Sequence, residues 1–240
     1  MKLRLDHALT QRGMVPTRSQ AESWIRLGRV TVDGKKIAKP GFFVDDRARI
    51  TLTAPERYVS RAGLKLASVA DRFRLDFRDK VVLDVGSSTG GFTDYALQHG
   101  AQKVIAVDVG TEQLHPSLRG DKRVELHEKT DIRGFEPSTT PDIVVIDVSF
   151  VSLRQILPDV ARMSTVKTEI VAMVKPQFEA AKFQIGASGI VRNDKMRRDI
   201  LHDFEVWAKQ HFVITQKADS DIKGAGGNHE RFYMLKTVVE

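Results

Sequence analysis

The sequence predicts an α/β protein in which a small α+β unit precedes a seven-stranded, mostly parallel sheet. Three observations carry this. After residue 80, apolar β-branched runs alternate with helical patterns. A glycine-rich turn, DVGSSTGGFTD over residues 84–94, leaves the first of those runs. The positive charge sits at the front: residues 1–53 hold eleven Lys or Arg against five Asp or Glu, whereas residues 64–240 balance at 25 of each. A basic surface of no function would spread the net charge of +7 along the chain instead.

In the front segment, RLDHALTQRG spaces Leu5, Ala8 and Leu9 helically and closes at Gly13. A second helix opens at Thr17, with Gln20 completing a capping box and Ala21, Trp24, Ile25 and Gly28 on one face. RVTVDGKKI alternates around Asp33-Gly34, a hairpin signal, and FFVDDRARITL reads as one further strand. Two short helices then pack on one small sheet. Pro55 and its polar neighbours read as a linker over residues 54–60, dividing a unit of residues 1–53 from one of residues 61–240. RAGLKLASVADRF restarts a helix with Leu64, Ala67 and Ala70 on its inner side.

The strands of the large unit read KVVLDVG, KVIAVDVG, RVELHE, DIVVIDVS, EIVAMVK, FVITQ and RFYMLKTV, and FTDYALQHG, LRQILPDVARM and KMRRDILHDFEVWAKQ supply helices between several of them. Runs this apolar suit a parallel sheet buried on both faces and joined by right-handed crossovers. Only the glycine-rich ADSDIKGAGGNHE separates the last two strands, which are therefore antiparallel neighbours, with one reversed strand at the end. This layout resembles the Rossmann-like sheet of S-adenosylmethionine-dependent methyltransferases.

Composition narrows the classes. The chain has no cysteine, which excludes a disulfide framework and a thiolate metal site and agrees with a reducing, cytoplasmic setting. Neither the opening MKLRLDHAL nor any other stretch holds an apolar run of signal-peptide or membrane-span length, so no membrane partner is expected.

In an open α/β sheet the ligand lies beyond the carboxyl ends of the strands. A pyrophosphate-binding turn would want glycines at 86, 88 and 91, and position 88 is serine. Asp84, Gly86, Ser88, Gly90, Gly91 and Phe92 instead resemble the cofactor turn of methyltransferases. Asp84 suits the cofactor's cationic amino-acid tail. Asp108, 24 residues further at the end of the second strand, suits the ribose hydroxyls, and Asp131 after the third strand suits the adenine amine.

Two further resemblances sharpen the expectation. Arg4, Leu5, Asp6, Thr17, Arg18, Ser19, Ala21 and the run from Ile25 to Gly34 resemble the RNA-binding module named after ribosomal protein S4. That resemblance implies that Arg4, Arg18, Arg26 and Arg29 track RNA phosphates. Asp147 and Lys175 end neighbouring strands, and Pro176 biases Lys175 toward an extended backbone. Lys65 in SRAGLKL, Asp147 in DVSF, Lys175 in VKPQFE and Glu230 in GGNHERF match the Lys-Asp-Lys-Glu tetrad of FtsJ-type ribose 2′-O-methyltransferases. With the S4-like module, the chain is identified as a member of the TlyA (haemolysin A) family.

Membership implies metal-free, S-adenosylmethionine-dependent methylation of cytidine ribose in 16S and/or 23S ribosomal RNA, with ribosomal RNA or subunits as partner. Lys175 is then the general base, Lys65 orients the hydroxyl, and Asp147 and Glu230 direct the two lysines; Asp147 also borders the cofactor. The segment PQFEAAKFQIGASGIVRND is a candidate lid, with Phe178, Phe183 and Arg192 as candidate base contacts. The competing readings are a non-catalytic ribosome assembly factor on the same fold and a membrane-lytic protein.

Overall fold

The structure, a computed structural model, describes residues 2–15, 17–26, 28–52, 58–180, 189–191, 193–224 and 227–238, with only the backbone at 19, 20 and 23. The chain divides into two compact units, residues 1–56 and 57–240.

The front unit runs β1 (Lys2–Arg4), α1 (Leu5–Gln11), α2 (Arg18–Arg26), β2 (Val30–Val32), β3 (Lys35–Ile37), β4 (Phe43–Asp45) and β5 (Ile50–Leu52). Leu5, Ala8, Leu9, Ala21, Ile25 and Val30 are fully buried together, the stripe expected from the helical spacing. Asp33 (φ 50°) and Gly34 (φ 79°) both take left-handed backbone, as a two-residue turn of the I′ kind requires. The side chain of Gln20, the expected partner in the capping box, lies outside the described residues.

FFVDDRARITL is not one strand. β4 pairs with β1, β5 pairs with β2, and two small sheets result instead of one. The break is imposed from a distance: the Arg12 guanidinium donates to the carbonyls of Asp46 and Ala48, 2.8 Å each, and holds the turn between them.

The large unit runs α3 (Arg61–Phe73), β6 (Val81–Val85), α4 (Gly91–Gln98), β7 (Lys103–Val107), α5 (Pro116–Arg119), β8 (Val124–His127), β9 (Ile143–Ile146), a 3-10 turn (Leu153–Gln155), α6 (Leu157–Arg162), β10 (Glu169–Val174), α7 (Pro176–Glu179), α8 (Asp194–Ala208), β11 (Phe212–Asp219) and β12 (Arg231–Thr237). The sheet has seven strands in the order β11-β12-β10-β9-β6-β7-β8. Strands β6 to β10 are parallel to one another. β12, the reversed strand, is last in sequence but not at the edge: it lies between β10 and β11, antiparallel to both. The chain runs outward from β6 through β7 to β8, then crosses to β9 on the other side of β6. β6 and β9 therefore flank a topological switch point, where such sheets bind ligands.

Both faces of the sheet are covered. Leu66, Val69, Phe73, Phe92 and Tyr95 pack on one face, and Leu157, Val160, Leu201 and Phe204 on the other. The buried stripe of α3 is Gly63, Leu66, Val69, Ala70 and Phe73, so Leu64 and Ala67, expected inside, are only half-buried. The helix is rotated because it lies against α4: a Cβ on Gly63 would stand 2.9 Å from the Gly91 carbonyl oxygen. The expected linker is also too long. Tyr58 is 1% exposed and packs on Tyr95, ring centroids 5.2 Å apart, and the Val59 amide donates to Asp94 at 2.7 Å. Residues 58–60 thus belong to the large unit, and residues 54–57 lie outside the described residues.

Candidate active site

The site is built at the carboxyl edge of β6, β9 and β10. Asp84, inside β6, is buried; its Oδ2 accepts from Thr93 Oγ1 at 2.6 Å, and its Oδ1 is buried with no protein partner. Burial pushes its pKa up to about 7, with Asp147 and Asp108 adding to the rise and Thr93 opposing it.

The glycines of the turn answer to protein neighbours. Gly86 has φ 80°, and a Cβ there would lie 2.7 Å from the Asp147 carbonyl oxygen. A Cβ on Gly91 would lie 2.7 Å from the Ala62 Cβ, and one on Gly90 would meet the Leu114 and Leu118 side chains. Of the glycines expected in the cofactor turn, Gly86 lines both cavities, whereas Gly90 and Gly91 line neither and pack against protein neighbours.

Two cavities open here and share Gly86, Ser88, Asp147 and Ser149. The larger, about 440 Å³, has apolar walls from Val107, Ile132, Val148 and Ile156, with Asp108 and Asp131 on its border. The smaller, about 140 Å³, is lined by Asp84, Ser87, Phe92 and Lys175. Asp108 accepts from the backbone amides of Ser88 and Gly110, at 2.7 Å each, which fixes its carboxylate at the rim. Asp131 is gripped by Arg133 at 2.6 Å, an ion pair that lowers its pKa.

The four tetrad positions form two nearly buried ion pairs. Lys175 Nζ lies 2.6 Å from Asp147 Oδ1 and donates to Ser149 Oγ at 2.8 Å. Lys65, in the second turn of α3, places Nζ 2.5 Å from Glu230 Oε2. Asp147 follows β9, Lys175 follows β10 and Glu230 precedes β12; the pairing of Val174 with Arg231 sets the last two side by side.

Sequence reasoning missed Ser149, the second partner of Lys175, and Phe150. Phe150 is 92% exposed at φ 66°, and its ring lies 5.2 Å from that of Phe178. An apolar residue after a strand-end Asp-Val-Ser was the available signal. Phe183 and Arg192 lie outside the described residues.

In the front unit Arg4 and Arg18 converge on buried Asp6, at 2.8 and 3.0 Å, and hold its carboxyl well below the usual range. Arg26 is exposed, and Arg29 lies over the Trp24 ring at 5.8 Å. Two of the four expected phosphate contacts thus share their charge with an internal carboxylate.

The FtsJ-like methyltransferase family model matches residues 58–237, and the S4 domain model matches residues 3–50. The 16S/23S rRNA (cytidine-2′-O)-methyltransferase TlyA of Mycobacterium tuberculosis is 36% identical over 100% of this chain and 91% of its own length. The Hemolysin A of Brachyspira hyodysenteriae is 36% identical over 95% of this chain and 97% of its own. A solved hemolysin-type structure from Streptococcus thermophilus superposes with a TM-score of 0.75 at 40% identity, covering 99% of this chain and 89% of its own. Among the described residues, no helix is long and apolar enough to cross a membrane.

Proposed function

We propose that this chain, which belongs to the TlyA family of ribosomal RNA methyltransferases, an S4 domain followed by an FtsJ-like methyltransferase domain, methylates the ribose 2′-hydroxyl of cytidine in 16S and/or 23S ribosomal RNA in the cytoplasm. One observation carries the reading: the Lys175 amine, held by Asp147 and Ser149, lines the same small cavity as the buried, unpartnered Oδ1 of Asp84.

The residues present fit S-adenosylmethionine. The orphaned Asp84 oxygen suits a cationic amine, and the apolar larger cavity with Asp108 at its rim suits an adenosine. Asp131 is the candidate partner of the adenine amine, in competition with Arg133. Gly86, Ser88, Phe92 and Asp147 line the route between. When bound, the cofactor supplies an electrophilic methyl group on a sulfonium.

A ribose hydroxyl is a weak nucleophile, so the protein must aim its oxygen and take its proton as the oxygen–carbon bond forms and the sulfur–carbon bond breaks. Lys175 Nζ receives that proton after its ammonium form has given one of its own to solvent, so the amine returns to the ion pair with Asp147 as the methyl group is transferred. Asp147 and Ser149 fix the direction of the amine, and Lys65, anchored on Glu230, orients the hydroxyl oxygen. The exposed Phe150 ring, with the half-buried Phe178 ring beside it, offers a stacking surface for a base drawn out of an RNA stack. In the front unit, Arg26 and Arg29 with the anchored Arg4 and Arg18 contact phosphates.

Incubation with methyl-labelled S-adenosylmethionine and each ribosomal subunit, whole ribosomes or naked RNA tests the reading. Label in 16S or 23S RNA supports it; no label in any of them refutes it.

A further inference from the structure

The two ion pairs leave a mechanical problem. Asp147 and Lys175 stand after different strands, β9 and β10, and both line the smaller cavity. A pair that must exchange partners during the reaction cannot also be the clamp that keeps its segments together.

A second link joins the same two segments on the buried side. Glu179, the last residue of α7, has a side chain only 1% exposed. Its Oε2 accepts from Ser152 Oγ at 2.6 Å and its Oε1 from the Leu153 backbone amide at 2.7 Å. The Arg154 Nε lies 3.6 Å from Oε2, and the Arg154 guanidinium lies over the Trp207 ring of α8 at 5.9 Å. Burial pushes the Glu179 pKa up, while Ser152, the Leu153 amide and Arg154 act in the opposite direction. A carboxylate this enclosed persists where its acceptor geometry is needed.

Resting on the function proposed above, we infer that Glu179 is a positioning residue for methyl transfer: it latches the segment 147–154 to the segment of Lys175 and α7, so that Asp147, Ser149 and Lys175 keep the register in which the amine meets the ribose oxygen. Glu179 lies four positions after Lys175, and Ser152 five positions after Asp147, so the latch and the catalytic pair are two rungs between the same rails. It touches no substrate or cofactor cavity.

Three variants, read by hydrogen exchange, turnover, cofactor-product affinity and the KM for RNA, test this. In Glu179→Ala the Leu153 amide loses its acceptor, and hydrogen exchange at Leu153 and in residues 175–179 should rise at least about tenfold. Turnover should fall about 30- to 100-fold, as displacements on the order of 1 Å do, with the affinity for S-adenosylhomocysteine and the KM for RNA changed less than about threefold. Glu179→Gln keeps an acceptor for the amide, so it should recover most of the turnover; it also serves if the alanine variant does not fold. Glu205→Gln, which disturbs a different carboxylate bonded to Lys217 and Tyr233, should leave turnover unchanged. Unchanged exchange at Leu153, or a turnover loss matched by Glu205→Gln, would overturn the inference. A wild-type protein inactive on every RNA would count against the proposed function, and the exchange readout would still decide whether Glu179 holds the segments.

Discussion

Lys175 Nζ sits 2.6 Å from Asp147 Oδ1 and 2.8 Å from Ser149 Oγ, so the first lysine of the site is held by two residues of one neighbouring loop. With the general-base role proposed for this lysine, Lys175→Ala should lower turnover by about 10²- to 10⁴-fold and leave cofactor affinity within about threefold. Single-turnover transfer and calorimetric titration with S-adenosylhomocysteine separate the two. Loss of cofactor binding would reassign the lysine.

The second pair gives a stability test. Lys65→Ala leaves the Glu230 carboxylate nearly buried and alone, which should cost about 3 kcal/mol, whereas adding Glu230→Gln should restore much of that loss. Denaturant melts of the two single variants and the double variant measure the coupling. Additive losses would mean that the pair is solvated in solution.

Asp84 predicts a pH dependence. Its pKa rises from an ordinary 3.8 to about 7 in the folded protein, so between those values the folded chain keeps a proton that the unfolded chain has released. The group's contribution is fully present below the lower value and lost as pH rises through the upper one. Relative to Asp84→Asn, the wild type should lose stability on the order of 4 kcal/mol from pH 4 to pH 7. Parallel melts across that range would contradict the assignment. If a cationic amine pairs with Oδ1, cofactor binding near neutral pH also expels the proton, seen as a heat that varies with buffer ionisation enthalpy.

Gly86→Ala tests the origin of the turn. The added carbon meets the Asp147 carbonyl oxygen at a left-handed backbone position, so the variant should lose about 1–3 kcal/mol and most of its turnover. Gly91→Ala should cost comparable stability through the contact between α3 and α4, with a smaller loss of turnover per unit of stability.

In the front unit, Arg26→Ala should weaken RNA binding evenly across sequences and reduce the slope of log affinity against log salt by about 0.7–0.9. Arg18→Ala should change that slope less, because Arg18 already pairs with Asp6 at 3.0 Å. Filter binding over a salt series measures both.

The parts of the molecule that were legible in the sequence are those set by local pattern. Seven strands could be read because apolar, β-branched residues recur in each, Asp147 and Lys175 stood out because each ends such a run, and Lys65 and Glu230 came only from the resemblance to the family tetrad. The split of FFVDDRARITL was hidden because Arg12, more than 30 residues away, fixes the turn. The rotation of α3 was hidden because it depends on Gly63 meeting Gly91 across two helices. Nothing in ADSDIKGAGGNHE states that β12 inserts between β10 and β11. Ser149 and Glu179 escaped notice for the same reason: each matters through a contact between segments far apart in the chain.

Alkaline digestion of RNA methylated by the wild-type protein is the most direct measurement. Alkali cleaves through a free 2′-hydroxyl, so ribose methylation leaves the label in alkali-resistant dinucleotides, with at least about a hundredfold less transferred by Lys175→Ala in the same time. Label recovered in mononucleotides would place the methyl group on a base and contradict the chemistry assigned to Lys175.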